Sequence, residues 1–218
     1  MFADRGTKLL WQVVSLTLSM ASVAKLGAQP RPAVPPATVY YDFDQAPPPA
    51  VLESIRAESE AIMGGLGIGL EWRLLAAARG TEVSLQLAVM RFHGRCDVSG
   101  LSTHRPQPAA LGWTHESDGV VLPFGEIDCD RIRTFIQGDL LAVPARDREF
   151  VFGRAVGRVL AHELYHILAR SPHHSSGGVG KAEYAVHDLL TARFVFDARA
   201  SAELRTQLLR TAADEPPR

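Results

Sequence analysis

Two histidines and a glutamate in this chain are spaced for metal chemistry. They are His162, Glu163 and His166, in the stretch Ala161-His162-Glu163-Leu164-Tyr165-His166-Ile167. On a helix, residues four apart lie one above the other on a single face. Two imidazole nitrogens so placed can hold one zinc ion, and the glutamate between them can reach water beside the metal. The chemistry of such a set is hydrolysis, with the metal as Lewis acid and Glu163 as general base. A catalytic zinc site has three protein ligands and leaves a fourth position to water, so a third ligand must come from outside the pair.

Four of the eight histidines lie between positions 162 and 174. His173 and His174 follow the pair closely, and Glu183 is a rival, because some zinc sites take a carboxylate as third ligand. Adjacent side chains point different ways, so only one of the two histidines is expected to bind. On the residues alone the three candidates stay open. His187 or Asp188 could orient a ligand imidazole from behind. Tyr165, Tyr184 and His115 are nearby candidates to stabilise charge during reaction, with nothing to choose among them. His93 and His104 fall in an irregular stretch, 93–108, with Pro106 and Pro108. In such a loop a surface histidine is commoner than a ligand.

The pair needs a helix, and its surroundings predict one. From about Asp147 to Ala169 there is no proline, and Phe152, Val156, Val159, Leu160, Leu164, Ile167 and Leu168 recur at spacings of three and four. Pro144 lies just ahead and Pro172 prevents easy continuation. Gly153 and Gly157 each cost a helix roughly 0.5–1 kcal/mol against alanine, which is tolerable where another element packs closely. Beyond the helix, the glycine- and serine-rich stretch 171–180 reads as a turn that brings the chain back with His173 and His174.

Ahead of the helix, 38–43 reads as a strand, 49–63 as a packing helix, 69–75 as a second strand and 83–89 as a third. Residues 110–114 and 119–123 flank Asp118-Gly119, a favoured hairpin turn. Pro123 places one of these strands at an edge or at its end. An edge strand beside a metal site can pair with an extended peptide. Helices are expected over 129–141, 186–196 and 199–213. The order suits an α+β fold, a sheet with helices on one face.

The 218 residues are 46% hydrophobic and 22% charged, the balance of a soluble globular protein. A net charge of −1 points to no nucleic-acid partner. Residues 1–28 read as a secretory signal peptide: Arg5 and Lys8, a mostly apolar run from Leu9 to Ala24, then small residues for cleavage after Ala24 or Ala28. That run is short for a membrane span, so no stable insertion is expected after cleavage. The expected location is secreted or periplasmic. Residues 29–37 read as a proline-rich spacer, 38–213 as one domain and 214–218 as a frayed tail. Cys96 and Cys129 are the only cysteines, and in an exported chain an even pair is expected to form a disulfide.

The sequence His162-Glu163-x-x-His166 with another histidine close behind resembles the metzincin-type zinc metalloproteases. It is similar, in more detail, to a group of exported bacterial zincin-like proteins. In that group a strand, a helix and a strand containing Glu-Trp, here Glu71-Trp72, precede the motif. The third histidine stands eight residues after the second and is followed by a Ser-x-x-Gly turn, as are His174, Ser175, Gly178 and Val179 here. The resemblance spans roughly 38–190, and its specific part is 161–181. It implies a zincin-like mixed sheet, an active-site helix bearing the motif and a backing helix. It favours His174 over His173 and Glu183 as third zinc ligand, with Glu163 as catalytic base. It implies a peptide or protein substrate, with endopeptidase preferred to exopeptidase action. The chain departs from the usual metzincin pattern at Ala169 and Pro172, which occupy the places of a glycine and the third histidine. It has no methionine after Met90, and Gly180 stands where the related group often has one. The alternative is a zinc-binding module, weakly active or inactive, that binds peptides or has a structural role.

Overall fold

The computed structural model describes residues 35–103 and 109–213. The expected signal segment 1–28, the spacer as far as residue 34, His104 and the tail 214–218 lie outside the described residues. The elements run β1 (Ala37–Gln45), α1 (Pro49–Gly64), β2 (Leu70–Leu74), β3 (Leu87–Arg95), β4 (Gly112–Ser117), β5 (Val120–Asp128), α2 (Cys129–Ala142), α3 (Arg148–Ala169), α4 (Val186–Leu190) and α5 (Ala198–Ala213).

The strands form one mixed sheet in the order β2-β1-β3-β5-β4. All neighbours are parallel except β4, which runs antiparallel to β5 at the edge. This is the α+β arrangement expected. The third strand, however, lies later than the sequence pattern suggests. Val83, Leu85, Leu87 and Val89 alternate, but the buried residues have the opposite parity: Ala88, Met90 and Phe92. Val83 is 96% exposed. A shift of one residue exchanges the faces of a strand, and here tertiary pairing chose the other face. β3 is the central strand, held by β1 on one side and β5 on the other, and it carries His93 within it rather than in a loop.

The β4–β5 hairpin turns at Asp118 and Gly119, with φ of 51° and 76°. Both lie in the left-handed region that the tight hairpin turn requires. β5 runs further than expected, through Pro123 to Asp128. The register passes from Thr114 opposite Gly125 to Glu116 opposite Val121, so His115 alone faces residues 122–124. Pro123 sits in that bulge, where its missing N–H breaks no ladder pair.

Ala88, Met90 and Phe92 join Val51 and Ile55 of α1, Ile132 and Ile136 of α2 and Val156 and Leu160 of α3 in one core. α3 approaches α1 closely at its two glycines. A Cβ at Gly153 would stand 2.6 Å from Ser54 Cβ, and one at Gly157 would stand 2.8 Å from the Ile55 carbonyl. α3 ends where Arg170 takes a left-handed φ of 51°, just before Pro172. Cys96, next to the end of β3, is disulfide-bonded to Cys129, the first residue of α2.

The expected helix over 186–196 is cut short at Leu190. Arg158 of α3 is fully buried, and its guanidinium donates to the carbonyls of Asp188 (2.7 Å) and Thr191 (2.7 Å) and to Glu58 (2.6 Å). Arg154 also donates to the Thr191 carbonyl (2.8 Å). With that carbonyl taken, the chain leaves the helix, and Phe194 and Phe196 are buried from irregular backbone. No helix among the described residues is long and apolar enough to cross a membrane.

Candidate metal centre

The buried C-terminal half of α3 positions the first two histidines. His162, Glu163 and His166 are 8%, 4% and 6% exposed. The return loop after α3 then fixes each ring. His162 Nδ1–H donates to the Val179 carbonyl at 2.7 Å, and His166 Nδ1–H donates to the Ser171 carbonyl at 2.7 Å. With both Nδ1 atoms protonated, both Nε2 atoms carry lone pairs, and these face each other at 3.0 Å. Two lone pairs so close repel unless a positive charge lies between them. Zinc–nitrogen bonds of 2.0–2.1 Å in a tetrahedral site set a nitrogen–nitrogen edge of about 3.3 Å, so the separation suits one shared ion.

His174 completes the group. Its ring centroid lies 5.2 Å from that of His162 and 4.7 Å from that of His166. The donor atoms of the three imidazoles all lie within 4.8 Å of one another. His173 is exposed on the adjacent turn, and Glu183 is exposed and lines the cleft; neither joins the group. Burial, with His166 and His174 as neighbours, pushes His162 down to about 3, partly opposed by the Val179 carbonyl. Burial also lowers His166 and His174. Neutral imidazole is the form that binds metal.

Glu163 faces the edge strand. Thr114 Oγ1 donates to Glu163 Oε2 at 2.8 Å, and Gly112 lets β4 close over the carboxylate. A Cβ at Gly112 would come within 3.0 Å of Glu163 Oε1. Burial pushes Glu163 up to about 7, with the Thr114 hydroxyl acting in the opposite direction. The carboxylate and the three histidines line a cleft of about 620 Å³. β4 forms one wall, α3 and the return loop the other, and Leu111, Phe135 and Val159 give it an apolar end.

The remaining candidates are distributed differently from expectation. Tyr165 turns away from the cleft, its hydroxyl donating to Glu203 of α5 at 2.9 Å. Tyr184 lines the cleft with its ring edge-on to His162, and its hydroxyl donates to the Val179 carbonyl at 2.5 Å. His187 is exposed, and Asp188 accepts from Lys181 and from the Ala185 N–H, so neither orients a ligand imidazole. That work falls to the carbonyls of Ser171 and Val179. No side-chain type could have announced them, since every residue carries a carbonyl. Thr114 was equally unmarked.

His93 belongs to a separate feature on the opposite sheet face, and His115, which also borders the cleft, joins it through Glu126. Asp44 Oδ2 accepts from His93 Nδ1 (3.2 Å), His93 Nε2 donates to Glu126 Oε2 (2.6 Å), and His115 Nε2 donates to Glu126 Oε1 (2.7 Å). The chain of bonds crosses β1, β3, β5 and β4 in sheet order. Trp113 stacks parallel to His93 at 6.0 Å. Burial alone would lower His93, but Glu126 and Asp44 outweigh it and its pKa is raised.

No protein-family model matches the sequence, and no curated protein matches it. Among solved structures, the chain is similar to the crystal structure of archaemetzincin from Methanopyrus kandleri. The identity is 12% and the TM-score 0.45, over 84% of this chain and 99% of that one. At that score and identity the likeness assigns no role to any residue here.

Proposed function

We propose that this protein is an exported zinc-dependent metallopeptidase. The observation that carries the reading is the convergence of His162, His166 and His174 on one point, with Glu163 beside them in an open cleft. His162, His166 and His174 would hold a zinc ion, which would supply Lewis acidity and lower the pKa of water there toward neutrality. Beside that charge Glu163 would be held in its ionised form. Glu163 Oε1, with Oε2 held by Thr114, takes a proton from the attacking water and returns it to the leaving nitrogen. Among the described residues β4 has one strand neighbour, β5, so its other edge can pair with an extended substrate. That geometry supports endopeptidase rather than exopeptidase action on a peptide or protein. The Cys96–Cys129 disulfide and the leader-like sequence before residue 29 support an extracytoplasmic location.

The test separates turnover from metal binding. Glu163→Ala should retain one zinc per chain by elemental analysis. It should lose hydrolysis of a quenched peptide library by at least about 100-fold, the usual scale for a general base. His162→Ala should lose both. Full zinc in His162→Ala would overturn the ligand assignment. A second reading, a zinc-binding module without turnover, rests on the absence of any methionine after Met90, where related sequences often place one. It predicts bound zinc and no hydrolysis in either the wild type or Glu163→Ala.

A further inference from the structure

The return loop contains a hydrogen-bond arrangement that ligand assignment alone does not explain. The Val179 carbonyl accepts two bonds, one from His162 Nδ1–H at 2.7 Å and one from the Tyr184 hydroxyl at 2.5 Å. A carbonyl oxygen has two lone pairs, so both donors can be satisfied together. Val179 is fully buried, and the turn around it is tied at two further points. Its N–H donates to the Val195 carbonyl (3.1 Å), and the Ser175 N–H donates to the Gly180 carbonyl (2.7 Å). The next residue, Gly180, packs so closely that a Cβ there would stand 2.8 Å from Ser175 Oγ. Tyr184 is held in turn: its ring lies edge-on to Phe194 at 5.4 Å and to His162 at 5.4 Å.

We propose that Tyr184 is a positioning residue for His162, fixing the Val179 carbonyl, and through it the direction of His162 Nε2. The proposal rests on the reading of His162 as a metal ligand. The His162 ring is aimed by a single bond from Nδ1, and that bond is only as well placed as its acceptor. The acceptor belongs to a loop, not to α3. The Tyr184 hydroxyl is the one side-chain group, besides His162 itself, that bonds the Val179 carbonyl among the described residues. It reaches back from five positions further along the chain and closes the turn from the cleft side. Without it, the carbonyl keeps the histidine bond but loses its second anchor, and the ring gains freedom that metal binding must remove. Groups that orient a ligand imidazole in this way are typically worth about 10- to 100-fold in metal affinity.

The test uses the full chain and its Tyr184→Phe variant, which keeps the ring and removes the hydroxyl. Zinc affinity is measured by competition with a chromophoric chelator. The expected result is about 10- to 100-fold weaker zinc binding in the variant. Thermal unfolding of the metal-free protein should be little changed, and hydrolysis should recover when zinc is made saturating. Equal zinc affinity in wild type and variant overturns the proposal. So does a loss of kcat that persists at saturating zinc, because Tyr184 would then act on the substrate. A wild-type chain that takes up no zinc overturns the metal assignment and this proposal with it, an outcome distinct from equal binding by both proteins. If Tyr184→Phe does not fold, Phe194→Leu is the second variant. It leaves the hydroxyl in place but removes the ring that holds Tyr184, and should weaken zinc severalfold; unchanged affinity there overturns the proposal.

Discussion

Glu163 is a carboxyl group 4% exposed, with the Thr114 hydroxyl donating to it. Burial dominates, and its pKa rises from an ordinary 4.5 to about 7. In the unfolded chain the same group ionises near its ordinary value. The folded state is therefore favoured fully below pH 4.5, loses that advantage as pH rises, and has lost it above about 7. A difference of that size is worth on the order of 3 kcal/mol. In metal-free protein the lowered pKa values of His162, His166 and His174 act with the opposite sign over the same range, so the Glu163 contribution is read as a difference: Glu163→Gln should gain stability relative to wild type as pH rises from 4.5 to about 7. A difference between the two proteins that does not change with pH would assign the dependence to another group. At this scale the convergence of His162, His166 and His174 was legible from spacing and resemblance. The hydrogen bond from Thr114, 49 positions away, was not, because nothing in a strand threonine marks what it will face.

Helix crossings decide whether the site-bearing element is held. Gly153 and Gly157 face α1, and a Cβ at Gly153 would meet the Val51 carbonyl at 2.7 Å as well as Ser54. Backbone cannot yield as a flexible side chain can. Gly153→Ala should therefore destabilise by roughly 1–3 kcal/mol, despite the better helix propensity of alanine. Gly138 of α2 has nothing within 4 Å of an added Cβ, so Gly138→Ala should stabilise by about 0.5–1 kcal/mol. Denaturant unfolding of the two variants reads both signs, and stabilisation by both would show that the crossing is loose. The long helix α3 was readable because its apolar spacing and flanking prolines agree. The two misplaced elements have tertiary causes. β3 alternates acceptably on either face, and only pairing on both sides decides which is buried. α4 stops because Arg154 and Arg158, more than thirty positions earlier, occupy the Thr191 carbonyl.

For the whole molecule, the one covalent tie beyond the backbone joins the end of the central strand to the start of α2. Cys96 and Cys129 are separated by 33 positions. Closing a loop of that length restricts the unfolded chain and stabilises the fold by about 3–4 kcal/mol on the chain-entropy account. Paired Cys96→Ser and Cys129→Ser substitutions should lower the denaturant midpoint by the corresponding amount. A midpoint equal to that of the oxidised protein would show that the bridge contributes nothing. The pairing was legible because there are only two cysteines. The course of 93–95 into the central strand was hidden by polar residues that the open sheet face tolerates.

The tie that runs through Asp44, His93, Glu126 and His115 gives the sheet a direction of response. Backbone ladders hold strands together at every pH, but this tie depends on a dissociable proton. His93 can donate to Asp44 and to Glu126 at once only as the imidazolium. Its raised pKa means the link is complete below the ordinary histidine value and is lost as pH rises through the raised one. β4, which carries Thr114, joins this tie through His115 and Glu126, so the part that varies with the proton is the link from Asp44 through His93 to Glu126. Raising the pH therefore loosens one side-chain brace across β1, β3 and β5 while the backbone ladders keep the strands in register.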